Sequence, residues 1–160
     1  DQTIGSLAGS GSIDLGNQRL AAGSDNSSTT FAGTISGNGG LSKLGTGTLL
    51  LSGSNSQSGI TRLQAGTLAL DGGSAQGDTT ALDISAGATL QLAASETIGS
   101  LSGAGAIALG EQRLTVNAGT DSAFSGAIAG GTAGALTKTG AATLTLGGNG
   151  DWGGETRIDG

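Results

Sequence analysis

The chain of 160 residues carries 12 acidic and 6 basic side chains, a net charge of −6, and no His, Cys, Met, Tyr or Pro. Those absences remove the side chains most used for nucleophilic, acid–base and soft-metal chemistry and exclude a disulfide-stapled fold; the sparse Lys and Arg also argue against binding the phosphate backbone of a nucleic acid. With 34 glycines and only about a fifth of the chain in Leu, Ile, Val and Phe, disorder is the first alternative, but low charge density and regular aliphatic spacing oppose it.

Taken in chain order, the opening Asp1 to Ser12 lacks the basic-then-apolar profile of a signal peptide, and no apolar run approaches the roughly 18 residues of a membrane helix. Thr3-Ile4-Gly5-Ser6-Leu7 and Gln18-Arg19-Leu20 bound a first pattern, residues 22–30 read as a loop, and Phe31-Ala32-Gly33-Thr34-Ile35 and Leu41-Ser42-Lys43 follow. Gly47-Thr48-Leu49-Leu50-Leu51 begins a phrase that returns at Gly66–Leu70, Gly87–Leu92 and Gly105–Leu109. Each version alternates aliphatic with small or polar residues, as a half-buried strand does. The anchors Leu49, Leu68, Leu90 and Ile107 are 19, 22 and 17 residues apart. Gly and Thr are poor helix formers, and every aliphatic stretch soon meets Gly, Ser, Asn or Asp, so strands are predicted throughout and helix is not.

From residue 96 the chain repeats itself. Residues 2–20 and 96–114 agree at 13 of 19 positions, a duplication. Phe31 through Ile35 returns as Phe124-Ser125-Gly126-Ala127-Ile128, Leu41-Ser42-Lys43 as Leu136-Thr137-Lys138, and Gly59-Ile60-Thr61-Arg62 as Gly154-Glu155-Thr156-Arg157. The offset drifts by a residue or two, which places insertions around 22–30 and 130–135 in loops. All six basic residues fall into equivalent pairs: Arg19 with Arg113, Lys43 with Lys138, Arg62 with Arg157. They are expected at fixed outward positions, their stems covering apolar surface and their charges blocking lateral sheet pairing.

Strands repeating every 20 residues or so suit neither a propeller blade, which needs about 40, nor a sandwich, which has no need of one phrase at each turn. In a β-solenoid each turn stacks on the last at about 4.8 Å, inward Leu and Ile form ladders, and Gly makes the corners. The prediction is all-β, a single unit over 1–160 composed of one repeat (about 1–94) and a partial second copy (about 95–160). About seven turns would make a rod on the order of 35 Å long. The closing GGETRIDG stops in mid-pattern and neither end looks capped, so a longer parent is expected.

A search for chemistry yields little. Asp71, Asp78 and Asp83 are the one paired-carboxylate option for glycan cleavage, with Arg62 as the only nearby base; solvation of a turn is the simpler account. Gly147-Gly148-Asn149-Gly150-Asp151-Trp152 resembles one calcium turn of a nonapeptide β-roll, but such turns repeat consecutively to share each ion, and a tight turn carrying an exposed aromatic fits better. Trp152 is read as packing over a loop, with carbohydrate stacking the alternative. No catalytic, cofactor or metal residue is assigned.

The run from Phe31 to Ile35, Gly40-Leu-Ser-Lys43, Gly45 to Gly53, then Asn55 through Gly59-Ile-Thr61 to Gly66-Thr-Leu68 resembles the passenger-associated strand repeat of autotransporters. The second copy resembles it too, in Phe124 to Ile128, Leu136 to Gly140 and Thr143 to Gly147. Trp152 fills the family's aromatic position two residues before a strand-opening glycine, Gly154, whereas Gln57 departs from it before Gly59. The resemblance implies a right-handed parallel β-helix, exported through an outer-membrane β-barrel and displayed outside a Gram-negative cell. The expected role is a non-enzymatic stalk that lifts a distal adhesive or catalytic domain. The alternative is direct contact, through loops 22–30, 71–80, 117–123 and 147–154, with host glycan, matrix protein or a second copy; no cofactor and no nucleic-acid partner are expected.

Overall fold

The computed structural model covers residues 1–160 and contains 21 short strands and no helix. Every strand pairing is parallel, and the strands line three faces of a coil visited in a fixed order. The first face has eight rungs, from Gln2–Ile4 and Leu20–Ala22 through Ala81–Ile84 to Leu144–Leu146. The second has seven, from Thr29–Phe31 to Gly150–Asp151. The third is broken: Ser12–Asp14 pairs with Thr34–Ser36, two turns follow without strands, and Glu96–Ile98, Arg113–Asn117, Ala135–Thr139 and Thr156–Ile158 resume it. Eight rungs separated by seven turns agree with the expected architecture, and turn length varies: Gln2 pairs with Leu20, 18 residues on, and Leu90 with Ile107, 17 on.

Inward alternate residues stack in register into ladders, as a coil with a strand period of two requires. The anchors Leu49, Leu68, Leu90 and Ile107 are consecutive members of one ladder, which Ile128 extends. Leu41, Leu82 and Leu101 sit on another, with Thr61 between the first two. All are buried, the aliphatic ones within one continuous apolar cluster of 26 residues. No single coil can bury enough apolar surface to offset the entropy of ordering it, so each rung is stable only between neighbours.

Stacking glycines hold the corners. A Cβ on Gly33 would lie 1.9 Å from the Gly11 carbonyl oxygen and 2.6 Å from the Phe31 ring; on Gly126 the same contacts, to Gly105 and Phe124, would be 1.8 and 2.7 Å. Only hydrogen fits where one backbone approaches the next so closely.

The duplicated segments keep their pairings but change face. Gln2 with Leu20, Leu20 with Leu41 and Leu41 with Thr61 run down the first face; their counterparts Glu96 with Leu114, Leu114 with Leu136 and Leu136 with Thr156 run down the third. Likewise Phe31 pairs with Leu51 on the second face and Phe124 with Leu146 on the first. The chain returns to the first face at Leu20, Leu41, Thr61 and Leu82, four full turns, and then crosses the second face to reach the third at Glu96, two-thirds of a turn further on. The 94-residue repeat is therefore four and two-thirds turns, and the second copy is rotated about the axis by one face relative to the first.

Candidate functional site

One of the three basic pairs, Lys43 with Lys138, does not stand outside as expected. Lys43 is 1% exposed and occupies an inward position in the ladder Ala22, Lys43, Leu63, Ile84. Its counterpart Lys138 is half-buried in the ladder Val116, Lys138, Ile158. An aliphatic stem can take a leucine's place if its ammonium reaches polar atoms at the corner. The Lys43 ammonium does so, donating to the carbonyls of Leu44 at 2.5 Å, Gly45 at 2.9 Å and Ala65 at 3.3 Å, and Lys138 donates to the carbonyl of Gly140. Burial holds the Lys43 ammonium below its ordinary value of 10.5. These lysines close corners of the coil.

Where the third face lacks strands, buried side chains add to a few backbone bonds such as Ser56 N–H to the Ile35 carbonyl and Asn55 N–H to the Ser74 carbonyl. The buried Asn55 carboxamide accepts from Ile35 N–H at 2.7 Å and donates to the Ala75 carbonyl at 2.7 Å, joining the turn before it to the turn after. The buried Glu96 carboxylate accepts two consecutive N–H groups, Ala75 at 3.1 Å and Gln76 at 2.9 Å. Between them Gln57 Nε2 and Thr61 Oγ1 both donate to Gln76 Oε1, at 3.0 and 2.8 Å. Burial pushes the Glu96 carboxyl above its ordinary 4.5 despite the two N–H donors, and the charge of Asp78 adds to the rise. The sequence carried one trace of this cluster, the departure of Gln57 from the aromatic position. Segment 71–80, read as an exposed loop, accordingly buries Ala75, Gln76 and Thr80.

The acidic trio is dispersed. Asp71 and Asp78 are exposed at either side of the buried Ala75 and Gln76 in the connection between the strands Thr67–Leu70 and Ala81–Ile84, while Asp83 points out of the latter strand next to Arg62 on the adjoining rung. No group of three acidic side chains converges on a cation site. In the single calcium-like turn, Gly150 and Asp151 are strand residues paired with the rung of Ile128 and Ala129. Trp152 is half-buried rather than exposed: it packs on the core and donates to Thr156 Oγ1 at 3.0 Å.

The arginines differ between the copies. Arg113 donates to Thr137 Oγ1 at 2.7 Å and pairs with Glu155 at 3.2 Å; Arg157 pairs with Asp159 at 2.5 Å. These are the molecule's two ion pairs, both in the second copy. Arg19 and Arg62 have none, and they border one shallow hollow of about 260 Å³ together with Asn17, Asn38 and Ile60. An adjoining hollow of about 210 Å³ is bordered by Arg19, Ser42 and Gln64.

Comparison with known proteins gives two matches. The profile of a family described as Passenger-associated-transport-repeat matches residues 41–70 and 136–160, one stretch in each copy. The chain is also 42% identical over 124 residues to the Adhesin BmaC autotransporter of Brucella suis biovar 1 (strain 1330). That alignment takes in 77% of this chain and only 3% of the length of that relative. No solved structure matches.

Proposed function

Since this chain is part of an autotransporter passenger and carries two passenger-associated transport repeats, we propose that it works as a rigid β-helical spacer on the outer surface of a Gram-negative cell, holding adhesive parts of a longer protein away from the membrane. The observation that carries this reading is the unbroken run of eight rungs on the first face, filled inside by apolar ladders. At about 4.8 Å per rung it makes a rod roughly 34 Å long. Side-chain bridges at Asn55 and Glu96 keep the third face connected where its strands lapse, which preserves stiffness against bending toward that side. The relative's description as an adhesin supports surface display and a non-enzymatic role.

The test is replacement in the surface-displayed parent. Substituting residues 97–160 with unrelated β-helical rungs of the same number should leave surface display and adhesion unchanged, whereas deleting them should shorten reach. Loss of adhesion on like-for-like replacement, with display intact, would reject the spacer role.

A further inference from the structure

The two copies supply an internal control for one surface. Subtracting the copy offset, Arg113 corresponds to Arg19 (113 − 94), Thr137 to Ser42, Glu155 to Ile60, Arg157 to Arg62 and Asp159 to Gln64 (each minus 95). The arginines are retained in both copies, but the two carboxylates that neutralise them in the second copy are an isoleucine and a glutamine in the first. The consequences are visible together. Arg19 and Arg62 lack ion-pair partners, Ser42 Oγ, in place of the Thr137 hydroxyl, is buried with no hydrogen-bond partner, and Ile60 is 39% exposed. Two adjoining hollows open where the carboxylates would lie.

We propose that this surface of the first copy, Arg19, Arg62 and Ile60 with Ser42, Gln64 and Asn38 beside them, binds an acidic glycan by its carboxylate groups. A guanidinium presents a planar fork suited to a carboxylate, and the second copy shows this position already accepting one from Glu155. Arg19 and Arg62 belong to rungs two apart on the first face, about 10 Å along the axis, so an extended chain with spaced carboxylates can reach both. Amides and glycine backbone around them match sugar hydroxyls, and Ile60 offers an apolar patch for the face of one ring. A hollow of about 260 Å³ holds a sugar ring. A protein partner fits worse, because stable protein interfaces bury roughly 1,200 Å² or more around an apolar core, and Ile60 is the one exposed aliphatic residue of this surface. Neither carboxylate nearest the site pairs with a guanidinium: Asp1 borders both hollows with one oxygen accepting from Arg19 N–H at 2.8 Å, and Asp83 lies one rung beyond Arg62. This inference is independent of the spacer role, which holds whether or not the rod also binds sugar.

Titration of the whole chain with a uronate-containing tetrasaccharide, followed by backbone amide shifts, is the direct experiment. Shifts should cluster around Arg19, Asn38, Ile60 and Arg62, and the carboxyl-reduced sugar should produce none. Ile60→Glu with Gln64→Asp rebuilds the second copy's carboxylates on exposed positions and should weaken binding at least tenfold. Glu155→Ile should unmask Arg113 and add shifts there. Equal binding of the neutral sugar, of poly-glutamate, or by the I60E/Q64D variant would overturn the proposal. So would a patch that reports only concentration-dependent pairing of two copies of this chain, or no shifts at all in a variant-free sample that unfolds cooperatively.

Discussion

The two copies of the repeat share sequence phrases and rung pairings, yet they stand on different faces of the same coil. Gln2, Leu20, Leu41 and Thr61 descend the first face; Glu96, Leu114, Leu136 and Thr156 descend the third with the same register. A strand phrase in this fold therefore specifies which side chains go in and which go out, and leaves open which face it occupies. That freedom follows from the physics of stacking. Each strand sees only the strand above and the strand below, and both are moved along with it when the whole repeat is rotated. A surface feature carried by the repeat is consequently presented in a new direction at each recurrence.

The strongest test of this equivalence lies at the corners. Gly33→Ala and Gly126→Ala place a methyl group within 2 Å of a carbonyl oxygen on the neighbouring turn, and the backbone has no flexible neighbour to yield. Each should cost about 3 kcal/mol or more, by a similar amount on the two faces, in urea unfolding of the whole chain. Tolerance at one position and not the other would mean that the face dictates the corner.

The inward lysines come next. Lys43→Ala removes the stem from a closed ladder and frees three carbonyls, so a loss of about 2–4 kcal/mol is expected. Lys43→Met keeps the stem and discards a charge that burial disfavours; its cost should stay below about 1.5 kcal/mol. Lys138, half-buried with one rung beyond it, should show the same order of effects at smaller size. Thermal unfolding of the four variants would reveal an outward, solubilising lysine at once, because Met would then be as harmless as Ala.

Much of this architecture was legible in the sequence, and what was hidden had specific causes. Leu49, Leu68, Leu90 and Ile107 could be aligned by eye because inward aliphatic residues must stack, whatever their spacing. The change of face could not, since 94 residues is a whole number of turns only if turn length is known, and the turns here vary from 17 to 22 residues. Lysine was misplaced because its stem is apolar and its head charged, and a sequence does not say whether a carbonyl waits at the corner. The acidic trio looked like a cluster because its members are near in the chain, but a coil with three faces sends neighbours in sequence to different sides. Asn55, Gln57, Gln76 and Glu96 were missed for a related reason: their partners lie on adjacent turns, 15 to 21 residues away.

Glu96 gives a smaller and pH-dependent effect, and a contrast with its counterpart Gln2, which is exposed at the first rung. Its folded carboxyl titrates above the ordinary 4.5, so the folded chain retains a proton that the unfolded chain releases. The stability associated with that proton is fully present below 4.5 and is lost as the pH rises through the elevated folded value. Glu96→Gln keeps one acceptor but turns an amide donor toward the second backbone N–H, at a cost of about 1–3 kcal/mol near pH 4.5. Urea midpoints near pH 4.5 and near pH 8 should converge in the variant relative to the parent chain; an unchanged pH dependence would place the titrating group elsewhere.

The smallest expected change is the most informative about the arginines. In Glu155→Ile and Ile60→Glu the substituted sites are exposed, and the Arg113–Glu155 pair leaves 41% and 58% of its two side chains in solvent. Pairs of that kind contribute between nothing and about 1 kcal/mol, because the charges are already well solvated and the side chains lose freedom on pairing. Breaking the pair in one copy, or building it in the other, should therefore shift the unfolding midpoint by no more than about 0.5 kcal/mol. If the result holds, the ion pairs of the second copy are not what keeps the coil folded, and their absence from the first copy costs the fold nothing, leaving Arg19 and Arg62 free for a ligand. A loss above about 1 kcal/mol in Glu155→Ile would instead make the pair a structural brace, and the unpaired arginines of the first copy would then mark a weaker segment of the rod.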